Sequence, residues 1–373
     1  MTLCELLAKL DYTLRPLIIN NAPQLGSQIY SCSRKVFLSM LASESFDTPN
    51  LTPEEYSKTL WGIKFRNSLF NAAGMYKYGE GYYTAYMQGA GAYFCGTATP
   101  NERAGNSKNG IKHPFISYPK SESASNWMGL PNLGFNVLAR SVDKIKKREG
   151  CPIGVSISAD PDDKTPNATL DVIEGLRLFQ TTQADFIELN ESCPNVPHQC
   201  DIDVDSGLDK LLIARLERIS KEFISKKDRN LPIIVKFSND TDVALVPKLL
   251  SLLTDLNFDG VNFGNTSTDY ENIINNLKPR DVDAFRYFTE TFGGGVSGAV
   301  IKGKSFNLSK AATEYLQGKE LKSEFHLIRT GGIQNIDDLK SSEEIGVSLN
   351  QWYTGYFEAF ASFGHQLYLE QFK

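Results

Sequence analysis

The segment Ile187-Glu188-Leu189-Asn190-Glu191-Ser192-Cys193-Pro194-Asn195-Val196-Pro197 sets two amide side chains around one thiol at the end of an apolar run. Asn190 and Asn195 can each donate and accept hydrogen bonds to a flat polar ligand. Pro194 fixes the turn that would hold Cys193 between them. A free cysteine of ordinary acidity, titrating near 8.5, is a candidate base or nucleophile. A cysteine before a proline turn is more often a buried apolar residue, so the bracket gains meaning only from its company.

That company is spread along the chain. Lys236 ends the run Ile233-Ile234-Val235-Lys236-Phe237, and a lysine at an inward strand end must meet an anion, lose its charge or snorkel to solvent. Lys77, just past Ala72-Ala73-Gly74, has the same options, the sharper one being a substrate carboxylate. Asn126-Trp127-Met128-Gly129-Leu130 adds an amide and a tight turn, and Asn265-Thr266 adds another amide. Four amides suit a small planar ring with alternating N–H and C=O groups, although asparagine also favours loops for its own reasons. The glycine-rich stretches Gly293-Gly294-Gly295-Val296-Ser297-Gly298 and Thr330-Gly331-Gly332-Ile333, with Trp352-Tyr353-Thr354-Gly355, offer backbone N–H groups to a phosphate. No G-x-G-x-x-G opens an early βαβ unit, so a dinucleotide site is not supported.

The elements that must position these residues are short apolar runs alternating with helical stretches from about residue 60. Strands are expected at Leu69–Ala73, Ala92–Thr97, Ile153–Ser158, Phe186–Asn190, Ile233–Phe237, Gly260–Phe263, Leu327–Thr330 and Val347–Trp352. Eight such runs predict an α/β fold, a (β/α)8 TIM barrel, with the chemistry where strands end. Ala73, Gly74, Gly96, Thr97, Asn190, Lys236, Asn265, Gly331, Gly332 and Thr354 all fall at that edge. Residues 1–45 read as a separate helical pair, broken at Asn20-Asn21-Ala22-Pro23, before a barrel over 46–373. Leu3, Leu6, Leu7, Leu10, Leu14 and Leu17 recur at helical spacing, and the ordinary expectation is that they pack on the barrel. The alternative is a pair that dips into a membrane surface and admits an apolar substrate.

Composition trims the alternatives. With 373 residues there is room for one barrel and an appendage, and a formal net charge of -5 with pI about 5.6 argues against nucleic acid as a partner. Six cysteines without paired spacing point to reduced thiols in a cytoplasmic setting. His113, His198, His326 and His365 are scattered, and Cys193, His198 and Cys200 lack a fourth partner, so no metal is expected.

The segments Asn126–Phe135, Glu188–Pro197, Val235–Lys236, Asn265–Ser267, Gly294–Gly298 and Gln351–Gly355 resemble the dihydroorotate dehydrogenases, flavoenzymes of pyrimidine biosynthesis, and do so over nearly the whole chain from residue 60. The resemblance implies FMN on Ala72, Ala73, Gly74, Gly96, Thr97, Ser156, Asn190, Lys236, Asn265, Gly294, Gly295, Gly331, Gly332, Tyr353 and Thr354. It implies that Asn126, Asn190, Asn195, Asn265 and Thr266 hold dihydroorotate, while Lys77 and the backbone at Met128, Gly129 and Leu130 take its carboxylate. Cys193 would remove the C5 proton as hydride leaves C6 for flavin N5, and Lys236 would favour the reduced flavin, giving orotate.

The branch reads as mixed. The Asn–Cys–Asn bracket and Met128–Asn132 look like the soluble branch, whose base is cysteine and whose members are often homodimers. Ala72–Lys77, Gln351–Gly355 and the helical pair look like the membrane-associated, quinone-using branch, whose base is serine. The next strand reads Phe94-Cys95-Gly96-Thr97 and lacks the soluble branch's substrate lysine, which leaves the role to Lys77. A quinone is the expected acceptor, with peripheral contact to the inner face of a membrane through residues 1–45. Fumarate or oxygen is the alternative, and NAD is disfavoured because no cysteine cluster serves an iron–sulfur partner. A different FMN barrel reductase acting on another pyrimidine, or a non-catalytic flavin-binding barrel, also fits the fold.

Overall fold

The computed structural model describes residues 1–163, 165, 167–191, 203 and 206–373. Eight parallel strands form one sheet: β1 Leu69–Asn71, β2 Tyr93–Ala98, β3 Ile153–Ile157, β4 Phe186–Asn190, β5 Ile233–Phe237, β6 Gly260–Phe263, β7 His326–Thr330 and β8 Leu349–Trp352. Neighbours in sequence are neighbours in the sheet, and β8 pairs with β1. The seam between β1 and β2 is closed by an amide side chain. Asn71 Nδ2 donates to Phe94 O at 2.6 Å and Asn71 Oδ1 accepts from Phe94 N at 3.1 Å, where a ladder bond would otherwise run. The expected strands are all present, with ends displaced by one or two residues at five of them.

Burial decides which end of the barrel can work. A hairpin of Lys58–Leu60 and Ile63–Phe65 covers the N-terminal end, and Trp61 and Phe65 pack with Phe70, Phe94 and Phe186 into a closed apolar plug. Each such ring, fully buried, contributes about 1.5–3 kcal/mol of transfer free energy. Gly154 admits two of them, because a Cβ there would lie 2.2 Å from the Phe94 ring. The opposite, C-terminal end stays open and polar.

A roof partly covers that open end. Phe115–Tyr118, Ser123–Asn126 and Gly295–Gly298 form a three-stranded antiparallel sheet. Its third strand comes from an insertion between β6 and β7, so within the stretch Gly293–Gly298, expected to be a phosphate turn late in the barrel, Gly295–Gly298 is an edge strand ahead of β7.

The helical pair is α1, Leu3–Asn21, and α2, Pro23–Ala42, with the break at Ala22 as expected. A capping box starts α1: the Thr2 hydroxyl accepts from Glu5 N and the Glu5 carboxylate accepts from Thr2 N. The leucine stripe of α1 is not buried on the barrel: Leu3 is 59% and Leu17 62% exposed, Leu6 and Leu10 are exposed with them, and Leu7 and Leu14, also exposed, face an open groove beside the barrel. What docks the pair is Cys4, Ile19, Tyr30, Leu38 and Leu41, together with polar anchors. Burial raises the Cys4 and Cys151 thiols to about 12, so these two behave as small core residues.

Candidate active site

The polar residues at the open end form one connected network. Asn265 Nδ2 donates to Asn190 Oδ1 at 3.2 Å, and Asn190 Nδ2 donates to Thr97 Oγ1 at 3.3 Å. Thr97 and Ser156 share a hydroxyl bond of 2.8 Å, and Ser156 Oγ donates to Glu188 Oε1 at 3.2 Å. Glu188 lies 3.5 Å from Lys236 Nζ. On the far side, the Thr330 hydroxyl lies 2.9 Å from Asn262 Oδ1 and 3.0 Å from Gln351 Oε1. Seven strands, β2 to β8, therefore contribute a side chain to one buried polar floor, positioned because alternate residues of each strand face inward.

Above this floor a cavity is lined by Ala72, Ala73, Gly74, Lys77, Thr97, Asn126, Met128, Leu130, Asn190, Lys236, Asn265, Thr266, Gly331, Gly332, Tyr353 and Thr354, all of them singled out from the sequence. Gly264, Ser297, Gly298, Ile301, Ile333, Gln351, Trp352 and Gly355 also face it. Gly96, Gly129, Ser156, Gly294 and Gly295 do not. Gly96 is pressed against the neighbouring strand, where a Cβ would stand 2.3 Å from Ser156 O, and Gly129 against the Asn106 side chain. Ser156 lies one layer below, inside the floor. Gly295 stands back in the roof strand and Gly294 just before it, where Gly294 O accepts from the Tyr270 hydroxyl. Cys193 and Asn195 lie outside the described residues, as do His198 and Cys200.

Glu188 joins the site from within a strand that reads as apolar core in the sequence. Its signal was a lone carboxylate inside an apolar run, facing the same way as Asn190 two residues on.

The cavity suits FMN. Gly332 adopts φ +74°, and a Cβ on it would meet Lys302 Cα at 2.4 Å, while one on Gly355 would meet Ile333 O at 2.1 Å. The helix Thr354–Phe363 starts at the cavity, with Thr354 and Gly355 in its lining, and the N–H groups of a first helical turn, which have no intrahelical partner, suit a phosphate. Lys236 supplies a cation, and the buried Thr266 Oγ1 has no protein partner, leaving it for a ligand. Asn190, Asn265 and Gln351 supply amide groups of both senses for a ring edge.

A second space adjoins this one. It is a groove between the helical pair and the barrel, walled by Leu7, Ala8, Leu14, Ile18, Ile29, Val36, Phe37, Met40, Phe115, Phe357 and Phe360. Tyr353 and Thr354 line both the groove and the cavity. At the junction Arg34 Nη1 donates to the Tyr353 hydroxyl at 2.8 Å and Arg34 Nη2 lies 3.5 Å from Met128 Sδ. Within the groove wall Arg15 grips Glu358 through two bonds, of 2.9 and 3.3 Å. Burial pushes the Glu358 carboxyl above its ordinary value, and Arg15 offsets this only in part. Burial also opposes the charge on Arg15, but Glu358 and Asp11 outweigh it and hold its pKa up.

A parallel eight-stranded barrel with a glycine-lined anion cradle, a buried lysine and a ring of amides defines a flavin-dependent oxidoreductase of the TIM-barrel type. The family model described as dihydroorotate dehydrogenase matches residues 56–366, and the chain belongs to that family of FMN-dependent enzymes. A relative from Nitratiruptor named dihydroorotate dehydrogenase (quinone) is 30% identical over 300 residues, covering 80% of this chain and 76% of its own. One of the same name from Xylella fastidiosa is 27% identical and covers 91% of this chain and 90% of its own. Two crystal structures of the Eimeria tenella protein, one with ferulenol and one ligand-free, share the fold with a TM-score of 0.70 at 20% and 21% identity. The first covers 91% of this chain and 88% of its own, the second 91% and 93%.

Proposed function

We propose that this chain oxidises dihydroorotate in the cavity and passes the electrons to a quinone held in the adjoining groove. The observation that carries the acceptor is the shared wall: Tyr353 and Thr354 face both spaces, so a ring in the groove lies one residue's thickness from a ring in the cavity. The groove is mostly apolar, apart from Asp11, the paired Arg15 and Glu358 and a few hydroxyls, and has a hydrogen-bond donor at the junction, which suits an isoprenoid-tailed quinone. Several relatives are named as quinone enzymes, which supports the same reading.

When bound, FMN would supply a hydride acceptor and a two-electron couple between substrate and quinone. The chain does the rest. Asn126, Asn190, Asn195 and Asn265 hold the pyrimidine flat, with the Thr266 hydroxyl beside them. Lys77 and the backbone at Met128–Leu130 take the carboxylate, and Cys193 takes the C5 proton. Lys236 favours the reduced state by its charge. A homodimer remains an expectation carried by the soluble-branch motifs, measurable by sedimentation.

The outward leucines of α1 give this reading a location. Among the described residues no helix is long and apolar enough to cross a membrane, and an amphipathic pair with its apolar stripe exposed can lie on a lipid surface. The groove would then open toward the lipid in which quinones dissolve. The test is reoxidation of the dihydroorotate-reduced protein by a short-chain quinone compared with fumarate, both without oxygen. Fast turnover with the quinone alone is the expected result, and turnover with fumarate alone would overturn the assignment.

A further inference from the structure

The floor of the cavity holds a carboxylate that neither half-reaction uses. Glu188 is 1% exposed, and its Oε1 faces Lys236 Nζ at 3.5 Å while accepting from Ser156. Its Oε2 accepts from Asn262 Nδ2 at 2.7 Å and from Gln351 Nε2 at 3.3 Å. Groups from β3, β5, β6 and β8 thus converge on one buried side chain and fix it beneath the cavity.

A buried carboxylate beside a buried ammonium subtracts from the field that the ammonium presents to its ligand. In a protein interior such charges act far more strongly than in water. The two half-reactions make opposite demands on that field. Uncompensated positive charge at the N1–O2 edge of a flavin favours its reduction by substrate and hinders surrender of the same electrons. Resting on the reading of the cavity as a flavin site, we propose that Glu188 sets the electron affinity of the flavin: its carboxylate offsets the Lys236 ammonium and holds that affinity below what Lys236 alone would give.

Sulfite tests this without either substrate. Its sulfur lone pair forms a bond to N5 of the oxidised flavin, and the displaced electron pair leaves a negative charge at the N1–O2 edge. Its dissociation constant therefore reports the local field, read from loss of the visible flavin absorbance. FMN-loaded E188Q should bind sulfite at least about tenfold more tightly than the parent, and K236M at least about tenfold more weakly. Adding E188M to K236M should recover at least about tenfold. That double change replaces a buried ion pair by apolar residues of similar length, an exchange folded proteins often tolerate, so the answer does not hang on E188Q alone. E188Q should also be reduced faster by dihydroorotate and reoxidised more slowly by quinone, whereas a merely structural role would slow both. Unchanged or weakened sulfite binding in FMN-loaded E188Q, or no recovery in K236M/E188M, overturns the proposal. Parent protein that purifies without flavin and takes none up would instead sink the cofactor reading.

Discussion

Arg34 of α2 donates to the hydroxyl of Tyr353, at the end of β8, across 2.8 Å. The bond ties the helical pair to a residue that walls both the cavity and the groove, which under the proposed function would set the extension beside the electron route. The same guanidinium reaches Met128, which lines the cavity.

Filling the groove should separate the two half-reactions. Ala8 lines it from α1, away from the cavity, and Ala8→Trp should raise the KM for a quinone about tenfold or more, one poorly accommodated ring costing at least about 1–3 kcal/mol. Flavin reduction by dihydroorotate should keep its parental rate. Equal quinone kinetics in the two proteins would place the acceptor elsewhere.

Cys193→Ala removes the proposed base. Reduction of the flavin by dihydroorotate should slow by about 10²–10⁴-fold while FMN stays bound. Stopped-flow traces that overlay the parent's would take Cys193 out of the mechanism.

Much of the barrel is legible in the sequence because parallel strands buried on both faces read as unbroken apolar runs. Phe186–Asn190, Ile233–Phe237 and Gly260–Phe263 are found at their expected bounds. The residues at their C-terminal ends could be placed in a ring for the same reason. The roof was not legible. Gly295–Gly298 pairs with Ser123–Asn126, more than 150 residues away, and antiparallel pairing at that separation leaves no local signature, so its glycines read as a turn. Glu188 escaped because a single carboxylate in a strand carries no periodic pattern, and its meaning comes from Ser156, Asn262 and Gln351 on other strands. For α1 the spacing gave the stripe correctly, but spacing does not say whether a stripe meets protein or lipid.

That exposed stripe makes its own prediction. Leu10→Glu and Leu17→Glu together should abolish co-sedimentation with vesicles containing anionic lipid, since each exposed leucine replaced by a charge loses its share of apolar contact. The anaerobic flavin chemistry should not change. Equal vesicle binding by the parent and the double variant would remove α1 as a membrane contact.

Acid should loosen the helical pair. Burial pushes the Glu5 carboxyl up, but the N–H groups of Thr2 and His365 and the charge of the His365 imidazole outweigh it and hold the pKa below the ordinary value. A carboxylate depressed in the folded state contributes stability that is full above the unfolded value, about 4.3, and is lost as pH falls through the folded one. Amide hydrogen exchange in α1, corrected for intrinsic rates, should therefore accelerate below about pH 4 before the barrel strands do. Equal protection of α1 at about pH 3 and pH 7 would mean that Glu5 is not its anchor.

The central claim is tested most directly by adding dihydroorotate to the purified protein without oxygen and watching the flavin absorbance. The account predicts stoichiometric bleaching with release of orotate, and recovery of the oxidised spectrum when a quinone is added. A bound flavin that stays oxidised in excess dihydroorotate would contradict it.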